Sequence, residues 1–188
     1  MKTFINVIFG LVFSLAVNQS YAATVDLIVN DANILVGEEF TIDVKVSGVS
    51  DLIAFGFDEN HDASWNPTGV SVAPPFNDDS ALFPSTDVAG SFFSLFPPFG
   101  LSGDNILLAS LSYIANTAGT FSFGITSDLT MLSQGLFEQF VFPQSDLTTS
   151  FDVTINEASV PEPPVVILML VGLLGLMRAT KSRIRSRD

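Results

Sequence analysis

The chain has no cysteine, so disulfides, thiol catalysis and cysteine-held metal are all excluded. It has one histidine, His61, and one tryptophan, Trp65. A Ser-His-Asp site needs a nucleophile, a base and an orienting acid brought together. With one histidine and no Gly-x-Ser-x-Gly motif, that chemistry has little support. No glycine-rich loop suited to cradling phosphate is present either. Carboxylate pairs, the tools of glycoside hydrolysis, would arise by chance among so many acids. The expectation is a protein that is not an enzyme.

Positive charge is also scarce. Of seven Lys and Arg, Lys2 stands at the start and five crowd the end, leaving only Lys45 between Ala23 and Ser159. Eighteen Asp and Glu lie in that same stretch, which therefore carries about −17. Such a body repels nucleic acid and anionic lipid and attracts cations or basic partners. No stretch of it shows a capped 3.6-residue period.

The two ends are different. Lys2, the apolar run Phe4 to Val17 and the small polar end Asn18 to Ala22 follow the layout of a secretory signal peptide. Ser20 and Ala22 suit the −3 and −1 positions, so residues 1–22 are expected to be removed after Ala22. At the other end, Val165 to Met177 is apolar and uncharged, and Arg178, Lys181, Arg183, Arg185 and Arg187 follow it. Cations directly after an apolar run read as stop-transfer charges on the cytoplasmic side. A single transmembrane helix over about 164–177 is expected. It reaches only roughly 20 Å at about 1.5 Å per residue, short of a bilayer core of about 30 Å.

The body, residues 23–159, reads as strands. Phe40, Ile42, Val44 and Val46 alternate with polar neighbours, as do Phe121, Phe123 and Ile125, and Phe151, Val153 and Ile155. That period of two marks strands with one buried face. Further strands are expected over Thr24 to Val29, Leu52 to Phe57, Gly69 to Ala73 and Leu107 to Ile114. Gly48 to Asp51 and Asn116 to Gly119 read as turns. Several short strands with turn signals predict an all-β, antiparallel sandwich. Pro74 to Asn105 interrupts the pattern with five prolines and reads as long loops, with a candidate strand at Ser91 to Phe96.

Two resemblances follow. Val160-Pro161-Glu162-Pro163, the short apolar helix and the Arg-rich tail together resemble the PEP-CTERM sorting signal. That resemblance implies an exosortase as processing enzyme and membrane attachment as an intermediate. It also implies final residence at the surface or in the exopolysaccharide matrix of a Gram-negative cell. Val36 to Val44, Leu52 to Asp58, Thr68 to Val72, Leu108 to Tyr113 and Ala118 to Phe123 resemble a cohesin-like domain. This implies a nine-stranded jelly-roll sandwich related to carbohydrate-binding modules. His61-Asp62-Ala63 departs from the aromatic-Asp-Pro turn of that family.

Candidate site residues are few. Asp58, Asn60 and Asp62 have the 1, 3, 5 spacing of a calcium loop, but Ala63 and Gly69 stand where an EF-hand needs Gly and Glu. Only a looser calcium site, with Asn77, Asp78 and Asp79, is open to them. Trp65 is a candidate sugar-stacking ring or a core residue. Phe92, Phe93 and Phe96, with Phe99, are candidates for an apolar contact patch or for core packing. The expected function is an exported, non-catalytic surface or matrix protein that binds protein or polysaccharide. A calcium-dependent adhesive protein is the alternative, and an extracellular hydrolase the third.

Overall fold

The computed structural model describes residues 23–158, except 95, 97 and 140, and beyond them only Met169 and Leu173. The expected signal peptide, Val160 to Pro163, the expected membrane helix apart from those two residues, and the cationic tail lie outside the described residues. Among the described residues no helix is long and apolar enough to cross a membrane. Met1–Glu157 and Ala158–Asp188 form separate compact units. The fold below is that of the first.

The described body is all-β. Its strands are β1 (Thr24–Val29), β2 (Ile34–Leu35), β3 (Glu39–Ser47), β4 (Val49–Asn60), β5 (Trp65–Val72) and β6 (Asn77–Asp78). Then come β7 (Val88–Ser91), β8 (Leu101–Gly103), β9 (Ile106–Ala115), β10 (Gly119–Thr126), β11 (Gly135–Glu138) and β12 (Thr149–Asn156). One sheet runs β1-β3-β9-β5 and the other β2-β12-β10-β4-β7-β6. In the larger sheet the long β4 is shared. Its Asp58 to Asn60 pair with β10 and Leu52 to Gly56 with β11, while β7 and β8 also pair along it.

Alternation decides which face is buried. Phe40, Ile42, Val44 and Val46 of β3 are buried, and the residues between them are not. Phe123 and Ile125 of β10 and Val153 and Ile155 of β12 face them across the sandwich as part of the same core. Aromatic rings fill its middle. Trp65 lies 5.1 Å from Phe40 edge-on and 6.1 Å from Phe123 in a stacked pair, and Tyr113 is 5.7 Å from both Phe40 and Phe123. A second cluster joins Phe55 to Phe57 and, edge-on at 5.1 Å, to Phe76. This ring packing holds the sheets together in a chain without cysteine.

Two neighbouring chain segments pass from one sheet to the other side by side. β3 turns into β4 at Gly48 (φ 73°), and β8 turns into β9 between Gly103 (φ 134°) and Asn105 (φ 56°). The Asp104 carboxylate accepts the Gly48 N–H at 2.8 Å, and the Ser47 hydroxyl accepts the Asn105 N–H at 3.0 Å. Each bend thus satisfies a backbone donor of the other.

Several expectations are corrected here. The resemblance implies nine strands, whereas the described residues form twelve, of which β2, β6, β7, β8 and β11 are short segments of two to four residues. Gly48 to Asp51 is not a four-residue turn. The strand resumes at Val49, and Asp51 (φ 51°) falls within an irregular stretch of its pairing with β8. The Pro-rich region holds β6, β7 and β8, and the candidate strand at Ser91 to Phe96 is replaced by Val88–Ser91.

Candidate functional site

The outward side of the β4–β7–β11 region carries two adjoining apolar hollows. One, of about 340 Å³, is bounded by Leu82, Phe83, Ala89, Leu132 and Phe137. The other, of about 320 Å³, is bounded by Phe92, Phe93 and Phe99. Ile53, Ala54 and Ser91 line both, so the two form one trough. Its rim is apolar and in solvent: Leu82 is 70% exposed, Phe93 80% and Leu132 84%. Isolated exposed apolar residues are ordinary, but a contiguous group around a hollow marks a contact surface.

Both walls of the trough are built by polar contacts. The wall at Ser80 to Phe83 begins in a tight turn in which the Asp78 carboxylate accepts the Ser80 N–H at 3.0 Å. The Ser80 hydroxyl accepts the Ala89 N–H at 3.0 Å, and Ser91 hydrogen-bonds Asp79, which tie this wall to β7. The opposite wall, Ser127 to Gln134, hangs on one buried side chain. Gln134, 1% exposed, donates to the Asp58 carboxylate at 2.8 Å and to the Ser85 carbonyl at 3.1 Å. Its own carbonyl accepts the Asp128 N–H at 2.5 Å. The Gln144 amide donates to the carbonyls of Leu129 and Met131. Leu82 and Leu132 are therefore held out in water by their loops and contribute little to the core.

The loops that form the two walls also carry negative charge. Hydrogen bonds from the Ser80 hydroxyl and N–H hold the Asp78 carboxyl below the usual carboxylate range, and Thr130 does the same for Asp128. Both stay ionised at neutral pH. Lys45, the one cation of the body, sits on β3 of the other sheet, 3.9 Å from Asp43. Between Ala23 and Ser159 no other Lys or Arg exists to offset the carboxylates near the trough.

The sequence-predicted residues are dispersed. Phe92 is half-buried against the core, 6.4 Å from Phe76, and lines the trough with the exposed Phe93. Phe96 is exposed in the same loop. Trp65 is corrected: it is 2% exposed, enclosed by Phe40, Tyr113, Phe121 and Phe123, and neither ring face is open to a sugar. Asp58, Asn60 and Asp62 do not act as one set. Asp58 accepts from Gln134 and from the Asp87 N–H, and Asp62 accepts the Ser64 N–H at 2.8 Å. Among the described residues no group of three or more His, Asp or Glu is placed to hold a metal ion. Leu82, Phe83, Leu132 and Phe137 were not foreseen. Their signal is modest: Leu82 and Phe83 form an apolar pair in a polar loop, Leu132 lies in a loop that also holds Leu129 and Met131, and Phe137 belongs to the short strand β11.

His61 has a structural partner. Its Nδ1 lies 3.6 Å from Glu59, whose other carboxylate oxygen accepts the Tyr113 hydroxyl at 2.5 Å. Burial, and then the Glu59 hydrogen bond, push the Tyr113 phenol well above its ordinary value. An unfolded tyrosine ionises near pH 10. The folded state, holding the proton, is thus favoured below pH about 10, and that advantage is lost as pH rises through and beyond it. Tyr113→Phe is expected to lower stability at pH 7 by about 1–2 kcal/mol, because Glu59 loses its donor. It should also flatten the fall in melting temperature above pH about 10. Thermal melts of both proteins across the alkaline range test this, and an unchanged alkaline slope in the variant would contradict it.

The sandwich is similar to cohesin domains. The sixth cohesin of scaffoldin B from Acetivibrio cellulolyticus, solved with a Cel5 dockerin, shares 14% identity over 70% of this chain and 99% of its own, with a TM-score of 0.48. The OlpA cohesin of Clostridium thermocellum, solved with the Doc918 dockerin, shares 10% identity over 71% of this chain and 99% of its own, TM-score 0.43. The full-length major pilin SpaD of Corynebacterium diphtheriae shares 14% identity over 71% of this chain but 34% of its own, TM-score 0.36. Scans against protein-family models and against curated proteins give no match.

Proposed function

We propose that this chain is an exported, non-catalytic protein of the cell surface or matrix whose sandwich docks a partner protein in the apolar trough. The observation that carries this reading is the trough itself. Two apolar hollows share Ile53, Ala54 and Ser91 under a rim of solvent-exposed Leu82, Leu132 and Phe93. A partner fitting it presents a few large apolar anchors flanked by Lys or Arg, since buried anchors carry most of an interface's energy. Complementary charge speeds encounter and makes it sensitive to salt.

The test begins with a photo-reactive side chain at Phe83 to trap the partner, followed by binding measurements with the purified pair. Ala54→Arg puts a cation into the centre of the trough. It is expected to weaken binding about thirtyfold, the effect of a lost hot spot of about 2 kcal/mol, with the melting temperature unchanged. A partner that binds this variant as tightly as the parent, or that binds equally at low and high salt, would sink the reading.

Delivery is proposed to run through the C-terminal segment. Val160 to Pro163 would be the recognition motif for an exosortase-type enzyme, the apolar stretch to Met177 a temporary membrane attachment, and the five cations the cytoplasmic stop. Mass spectrometry of surface-released protein should then find a C-terminus that lacks Arg178 to Arg187. Released protein that retains the cationic tail would refute this route.

A further inference from the structure

A second hollow, unlike the trough, lies on the solvent side of the larger sheet where β4, β10 and β12 run together. It measures about 630 Å³, within the roughly 300–1,000 Å³ of small-molecule sites. Its lining is mostly polar: Asn60 from β4, His61 and Asp62 just after it, Ser122 and Thr126 from β10, and Thr149 and Ser150 from β12. Gly124 supplies a low floor, where an added Cβ would stand 3.1 Å from the Ser150 Cβ and from the Thr149 carbonyl oxygen. Phe123, Ile125 and Phe151, which alternate with them, pack against the core, so Ser122, Thr126 and Ser150 stand on the outer side.

The chemistry of the hollow selects its ligand. Hydroxyls and a carboxamide both donate and accept hydrogen bonds. An anion meets a body of about −17, with no Lys or Arg in the lining and the Asp62 carboxylate there beside His61. A metal ion meets one carboxylate, Asp62, already accepting the Ser64 N–H. An apolar ligand would strand the hydroxyls without partners. We infer that this hollow binds a neutral saccharide chain, separately from the protein partner of the trough. No Phe, Tyr or Trp lines the hollow and the imidazole of His61 is the one ring there, so recognition rests mainly on hydrogen bonds and is weak for a single chain.

The experiment uses the full chain in detergent, isotope-labelled, with cellotetraose and maltotetraose as neutral probes and tetragalacturonate as the anionic one. Amide signals of Ser122, Gly124 and Ser150 are expected to shift with at least one neutral probe and not with the anionic one. The double variant Ser122→Ala, Ser150→Ala removes exposed hydroxyls and should leave the melting temperature unchanged while weakening binding about tenfold. Ala54→Arg should leave saccharide binding intact, which separates this site from the trough. The inference is overturned by no shift at these amides with either neutral probe, by shifts with the anionic probe alone, or by full affinity in the double variant.

Discussion

Replacing Gly56 with alanine is expected to cost about 3 kcal/mol of stability and to disturb one wall of the trough. Gly56 lies in β4 beneath the Ser127 to Gln134 wall. A Cβ there would stand 1.9 Å from the Ser133 carbonyl oxygen and 3.0 Å from its carbon. Both are backbone atoms, so no rotamer change relieves the overlap. Either β4 or the whole wall must move, and the buried Gln134 resists because it anchors that wall to Asp58 and Ser85. Overpacking of this kind costs about 1–3 kcal/mol and occasionally more. Gly69→Ala is the control, since nothing lies within 4 Å of its Cβ position. Urea unfolding should show Gly69→Ala within about 0.5 kcal/mol of the parent and Gly56→Ala far below it. Equal midpoints for all three would show that the wall is free to shift, and the trough could not then be a preformed site.

The second large effect belongs to Trp65. Truncation to alanine is expected to cost about 3–5 kcal/mol, because the indole bridges the sheets, touching Phe40 on one and Phe121 and Phe123 on the other. Trp65→Phe should cost much less. Among the described residues the indole N–H has no hydrogen-bond partner, so phenylalanine forfeits ring area but no polar contact. Chemical unfolding followed by circular dichroism separates the two variants. A small loss for alanine would mean that the ring is not central to the core.

The parts of the fold that were readable in the sequence are those where alternation ran long enough to declare a face. Thr24–Val29 appears with its expected bounds, and β3, β9, β10 and β12 appear where their apolar residues alternate. The misplaced strand of the Pro-rich region shows the limit. β7 is Val-Ala-Gly-Ser, buried at its first three residues, so it shows no alternation, and the nearby phenylalanines drew attention instead. The trough is harder still to read. Leu82 and Leu132 are 50 residues apart and border one hollow because Ser80 and Gln134 pin their two loops to the same sheet. Local pattern carries no trace of that meeting. Trp65 is left undecided by the sequence, between a sugar-stacking ring and a core residue, for the opposite reason. It opens β5 at the end of a polar loop, and only the pairing of β5 with β9 turns its ring inward.

The ladder between β10 and β12 has a mechanical meaning. It runs in register from Gly119 opposite Ile155 to Ile125 opposite Thr149, and β10 is joined to β4 at the far end, through Gly124 to Thr126. A pull on Asn156 directed along its strand cannot peel these pairs off one by one. It loads all of them in shear, parallel to the strands. A partner seated over β4 would therefore be restrained from the C-terminal side through a joint that fails only when its rungs give way together.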